Sequence, residues 1–207
     1  MHANRFRAAA LAAGLVGWYG LVDPRLPRRA QPLANAALGA GLVAATRAPL
    51  GLRPPPLWAG VRLGLAVATP IVAGVAASTA VAPVRSSMAE RDLTASSSVW
   101  LALRIPIGTV WSEEAVFRGA LSTVAARAFG PTGGRLVQSL AFGLSHIADA
   151  RGTGEPVAAT VVVTALAGWF FAMLRDRSGS LAAPMLAHLA INEAGAVTAL
   201  AVQRRAR

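Results

Sequence analysis

The chain has 207 residues, of which 55% are hydrophobic and only 14% charged, with a mean hydropathy of +0.51. Soluble domains carry roughly 25% charged residues to face water, so this composition excludes an ordinary water-coated domain and points to lipid as the solvent. A net charge of +11 carried by arginine alone, and the absence of cysteine, add a cationic rim and exclude disulfides, thiolate metal sites and a cysteine nucleophile.

In chain order, apolar blocks and turn residues predict an all-α, polytopic membrane helix bundle of about seven transmembrane helices. The first covers roughly residues 6–22. Arg5 and Arg7 ahead of an apolar run could also mark a signal peptide. The length of the run, Trp18 and Tyr19 near its end as interfacial anchors, and no small-residue cleavage site favour a membrane helix. A second span, about 32–46, follows an Arg/Pro turn. Arg53-Pro54-Pro55-Pro56 then breaks the chain, and a third span runs from Trp58 to about Ala82.

The polar stretch 85–98 reads as an extramembrane loop. A fourth span, about 99–129, is long and charged, with a kink expected at Pro106 and Gly108. Gly130-Pro131-Thr132-Gly133-Gly134 ends it. A short fifth span, about 135–148, a sixth, about 156–174, and a seventh, about 181–202, complete a single domain without internal repeats. The arginines lie mostly between apolar blocks, beside lipid headgroups rather than on an aromatic-interleaved face. That argues against a nucleic-acid partner. The expected location is a cell membrane, plasma or inner, crossed several times. Arginine is shared about equally between alternate loops, so orientation is not set.

Ionisable side chains at membrane depth cost about 2.5–3.5 kcal/mol each on the insertion scale, so they gather in bundle interiors and mark function. Three groups stand out. In Ser112-Glu113-Glu114-Ala115-Val116-Phe117-Arg118-Gly119, Glu114 and Arg118 are four apart and can pair, while Glu113 points about 100° away. By itself the group also reads as a buried ion pair that fixes helix packing. In Phe142-Gly143-Leu144-Ser145-His146, the imidazole could equally be an interhelical hydrogen-bonding contact. In His188-Leu189-Ala190-Ile191-Asn192, two polar side chains share one helical face and call for a shared partner.

Two carboxylates, two imidazoles and a carboxamide on apolar helices are the ingredients for peptide hydrolysis within a membrane. A buried glutamate can take a proton from water, and an imidazole N–H and an amide can hold the oxyanion. Ser112 and Ser145 lack the order or elbow of a serine triad.

Glu113-Glu114-x-x-Phe117-Arg118-Gly119, Phe142-Gly143-Leu144-x-His146 and Ser178-Gly179-Ser180-Leu181-x-x-Pro184-x-x-x-His188-x-x-x-Asn192 resemble the CPBP family. These are the CAAX prenyl protease and bacteriocin-processing (Abi) membrane proteins, whose three signatures occur here in order over about residues 99–200. The resemblance implies catalytic core helices over 99–202, preceded by generic transmembrane helices over 1–98 and followed by a basic tail, 203–207. It implies that Glu113 activates water with help from His146, that His188 and Asn192 stabilise the oxyanion, and that Glu114 and Arg118 position the site. Which of the two acids is the base stays open.

A metal-independent mechanism without cofactor is the expectation; zinc held by Glu113, His146 and His188 is the alternative. The expected partners are membrane lipid and a membrane-associated protein or peptide substrate. A prenylated CAAX substrate does not follow from these motifs. A non-catalytic scaffold or bacteriocin immunity protein, or a proton-coupled transporter, are the other readings.

Overall fold

Helices account for all regular structure among the described residues of the computed structural model, which are 2–90 and 99–205. A chain in hydrocarbon has no water to satisfy its N–H and C=O groups, and helices satisfy them within each segment. Helix α1 (His2–Gly17) runs on through a wider π-wound turn, Trp18–Val22, and a 3-10 turn, Asp23–Arg25. Helices α2 (Gln31–Thr46) and α3 (Pro56–Ser78) each carry a proline in the first turn, where its missing N–H is no loss. A short α4 (Ala82–Glu90) follows. Beyond it come two π-wound stretches, Trp100–Trp111 and Glu114–Leu121, and then α5 (Ser122–Ser145), α6 (Ile147–Thr153), α7 (Val157–Ser178) and α8 (Ala182–Arg205).

Three of these, α3, α7 and α8, are each long and apolar enough to cross a membrane. The all-α membrane bundle expected from the sequence is the fold observed. Helix α2 has 16 residues, short of the ~20 that a hydrocarbon span needs, while α1 has 16 before its π-wound continuation. The stretch from Trp100 onward carries Arg104, Glu113, Glu114 and Arg118.

One local expectation is corrected. Residues 85–90 of the expected loop are helical in α4, which packs on α8, and Gln203 Nε2 donates to the Met88 carbonyl at 3.2 Å. Residues 91–98 of that loop lie outside the described residues. The kink expected at Pro106 and Gly108 falls where the backbone winds wide, across Trp100–Trp111, which takes up the i→i−4 bond that the ring removes. The break expected after Phe129 is present: Gly130 takes φ 76°, ψ 173°, a conformation essentially restricted to glycine. The chain there doubles back, so that a Cβ on Gly134 would lie 2.6 Å from the Ala126 nitrogen. Trp18 and Tyr19, expected as interfacial anchors, also contact protein: Trp18 Nε1 donates to Asn35 Oδ1 at 2.8 Å, and Tyr19 stacks on Phe117 at 5.7 Å.

The outer surface is apolar, with Phe6, Leu33, Val163 and Leu166 each more than half exposed, while Glu114, Arg118 and Gln138 are fully buried. That inversion suits lipid. Between helices lipid offers no hydrophobic drive, so small residues let backbones approach. Gly60 and Gly64 of α3 face α8, where added Cβ atoms would meet Ser180 Cβ at 2.7 Å and Leu186 Cβ at 2.9 Å. Gly143 of α5 lies against α7, with the Val161 carbonyl oxygen 2.6 Å from where its Cβ would be. Gly51, at φ 62°, seats the loop before α3 on the turn between α7 and α8, where Leu181 N donates to the Leu50 carbonyl at 2.9 Å.

The α5–α7 seam sets the position of His146, three residues beyond Gly143. A Gly143→Val substitution is expected to cost about 1–3 kcal/mol through overpacking, measured as a loss of reversible unfolding free energy in detergent. Gly195→Val in α8, where no atom lies within 4 Å of the added Cβ, is expected to be near neutral.

Candidate active site

The acids sit where the backbone passes between its two π-wound stretches, Glu113 at the end of the intervening turn and Glu114 opening the second stretch. Ser112, just before them, is tied to its own helix through Gly108 O at 2.5 Å and Thr109 O at 3.0 Å. Glu114 is fully buried. It accepts from Arg118 Nε at 2.6 Å on one oxygen, and from Arg118 Nη2 and His188 Nδ1 on the other, the last at 2.9 Å. Three donors saturate it.

The Arg118 guanidinium is also fully buried and lies among aromatic rings, 4.2 Å from the centroid of Phe142, 5.3 Å from Phe171 and 5.7 Å from Phe117. Ring faces attract a cation, most of all where water is excluded. They stand in for hydrogen bonds that its Nη1, buried without a partner, does not make. Phe171 also stacks on His188 at 4.9 Å. The same aromatic walls hold the imidazole and the cation.

Glu113 is placed differently. Its Oε2 is buried and has no hydrogen-bond partner. His188 Nε2 is 3.8 Å away, within charge interaction but too far to bond. Since a carboxylate can only accept, the Nδ1 that faces Glu114 carries a proton, assigned by that acceptor. Nε2 therefore faces Glu113 with a lone pair in the neutral ring and with N–H in the imidazolium. One imidazole links the saturated acid to the unsatisfied one.

His146 stands at the junction between α5 and α6, at φ −89°, ψ 3°, and not inside a helix as its apolar surroundings suggest. Its Nδ1 faces the Phe142 carbonyl at 2.7 Å and so is the donor, which leaves Nε2 free to accept. The Phe142 ring meets His146 at 4.7 Å and His188 at 6.3 Å. His146 is thus joined to the acids through an aromatic contact and not through a bond. Asn192 does not share a partner with the His188 side chain. Its Nδ2 donates to the His188 carbonyl one turn back, at 3.1 Å, and one amide hydrogen remains free.

The six expected site residues therefore divide. Glu113, Glu114, Arg118 and His188 form one connected cluster; His146 adjoins it across Phe142; Asn192 lies one turn along α8. Sequence reasoning singled out Phe117 and Phe142 as motif positions but missed Phe171 and the wall that the three rings make around Arg118. It also missed Tyr19, whose hydroxyl is buried and unpartnered. Its ring packs on Phe117, in the same stretch that carries Glu114. A phenol so placed can hold water or an oxyanion. No pattern connects residue 19 to residue 117; only the fold does.

Zinc is the metal the motif set suggests, with Glu113, His146 and His188 as its ligands. Among the described residues no three His, Asp or Glu side chains form a metal-holding group. Of the three residues that would hold it, Glu113 keeps Oε2 and His188 and His146 each keep Nε2 outside any hydrogen bond. Those atoms are of the types zinc takes, and they are not gathered into a three-ligand group here.

The buried pair yields a stability prediction. Arg118→Ala strands the Glu114 charge and is expected to cost about 3–5 kcal/mol. The Glu114→Gln, Arg118→Met double variant, which removes both charges at similar volume, is expected to recover most of that. Unfolding titrations in detergent give both values.

With this geometry established, comparisons with known proteins place it. Residues 95–194 match the family described as Type II CAAX prenyl endopeptidase Rce1-like. The match covers just under half of the chain and contains Glu113, Glu114, Arg118, His146, His188 and Asn192. No curated protein and no solved structure matches the chain significantly. The segment that holds all six residues is thus similar to a family of CAAX-type prenyl endopeptidases.

Proposed function

We propose that the protein is an intramembrane endopeptidase, hydrolysing peptide bonds of membrane-associated proteins or peptides with Glu113 as the general base. The observation that carries this reading is the contrast between neighbouring acids. Glu114 is saturated by three donors, while Glu113 Oε2 is buried without a partner beside His188 Nε2.

In this reading a water molecule donates one hydrogen to Glu113 and is steadied by His146 Nε2, the nitrogen left free to accept. Glu113 takes the proton as the water oxygen attacks the peptide carbonyl carbon. The oxyanion that forms is met by N–H of a protonated His188, with Glu114 as counter-ion, and by the free Asn192 amide hydrogen. Collapse of the intermediate breaks the C–N bond, and Glu113 returns its proton to the leaving nitrogen. Arg118 and Glu114 act by holding His188. The chemistry needs no metal.

The test is cleavage of a panel of membrane-tethered peptides by purified protein in lipid. Glu113→Gln is expected to lower turnover at least ~100-fold while leaving thermal stability close to wild type, since Oε2 makes no bond to lose. Activity is expected to survive a strong chelator. If the polar residues serve only as packing, the Glu113→Gln protein will match the wild type in every assay. Loss of activity to chelator with recovery on added zinc will overturn the metal-free mechanism alone.

A further inference from the structure

Away from the acids, a second feature is built from arginine. Arg7 of α1, Arg47 at the end of α2 and Arg127 of α5, just before the Gly130 turn, line one cavity of about 530 Å³ together with Asn4, Thr46 and Leu11. No acidic residue lines it, and none of the three guanidiniums has an ion pair or hydrogen bond among the described residues. Three cations converge without a counter-charge.

The surroundings do not supply one. The C-terminal ends of α2 and of the helix before Gly130 offer partial negative charge, about half an elementary charge each at most. The start of α1, which brings Arg7, offers the opposite sign. Arg47 also adopts φ 51°, ψ 44°, a left-handed conformation at the end of α2 where glycine is usual. The chain accepts a backbone cost there while placing another guanidinium at the cavity.

The site's position indicates its ligand. Helix ends from α1, α2 and α5 meet at one end of the bundle, where headgroups would lie. The cavity has an apolar side, Leu11 and Val124, beside its cationic one. We infer that this cavity binds the phosphate of an anionic phospholipid headgroup, the three arginines holding the phosphate oxygens and the apolar side meeting the glycerol and first methylenes. Free phosphate shares the charged half of this chemistry but not the apolar half.

Native mass spectrometry of the detergent-purified full chain tests this, with phosphatidylglycerol, phosphatidylcholine and inorganic phosphate as probes. Wild type is expected to retain phosphatidylglycerol in preference to phosphatidylcholine. The Arg7→Gln, Arg47→Gln, Arg127→Gln triple variant is expected to lose affinity on the order of a hundredfold, and Arg127→Gln alone several-fold. A control triple, Arg53→Gln, Arg151→Gln, Arg177→Gln, removes the same charge elsewhere and is expected to bind as wild type. Equal loss in the control would reduce the effect to general surface charge and overturn the site. So would unchanged binding in the Arg7/Arg47/Arg127 variant. Inorganic phosphate binding as tightly as the lipid would overturn the headgroup assignment. None of these residues belongs to the proposed peptidase machinery, so the outcome is independent of proteolysis.

Discussion

A carboxylate fully removed from water must be compensated, and in this protein the compensation of Glu114 organises the site around it. An isolated buried charge costs far more than the protein's whole stability. Glu114 meets that demand with a guanidinium four residues along its own helix and an imidazole from α8, 74 positions away in the chain. The guanidinium must then be compensated in turn, and three aromatic rings from the Glu113 segment, α5 and α7 do so. One buried charge thus fixes four elements against each other. His188 emerges from this arrangement with one nitrogen committed and the other facing Glu113, which is the asymmetry that lets adjacent acids have different chemistry.

Lipid sets the complementary constraint. Since apolar side chains gain nothing by leaving hydrocarbon, the bundle is held by close backbone approach and by polar contacts. The glycines of α3 against α8, and Gly143 against α7, supply the first. The second includes a chain of bonds near the end of α1, where Trp18 reaches Asn35, Asn35 reaches Asp23, Gln31 reaches the Asp23 carbonyl, and Arg104 reaches Gln31. This network ties α1 and α2 to the π-wound stretch that leads into the acids. Wide turns on both sides of Glu113 expose more of the backbone's own geometry to choice than a regular helix would, in keeping with the frequency of π-turns at functional sites.

Much of this was legible from residue order. Apolar blocks and turn residues located most helices to within a few positions, because Pro, Gly and Arg mark ends for reasons local to the chain. The pairing of Glu114 with Arg118 followed from their spacing, as did the freedom of Glu113. The failures have a common cause. That residues 85–90 would be helical against α8, and that His146 would fall at a junction, both depend on neighbours distant in sequence. Asn192 shows the same limit at the scale of one side chain. Its spacing from His188 is helical, but its amide reaches the backbone, because the imidazole is drawn away by Glu114.

Tyr19 carries the argument one step past the matched segment. The residues that match the family lie between 95 and 194, yet the buried Tyr19 hydroxyl comes from the turn that continues the first helix. Tyr19 meets the matched segment because Phe117, three positions from Glu114, offers its ring for stacking, and Phe117 is itself braced edge-on by Phe142. The first helix is therefore part of the pocket's wall. The turn that continues α1 packs on the segment that carries the acids, while the other end of the same helix brings Arg7 to the arginine-lined cavity. The matched segment is thus walled by a helix that lies outside it.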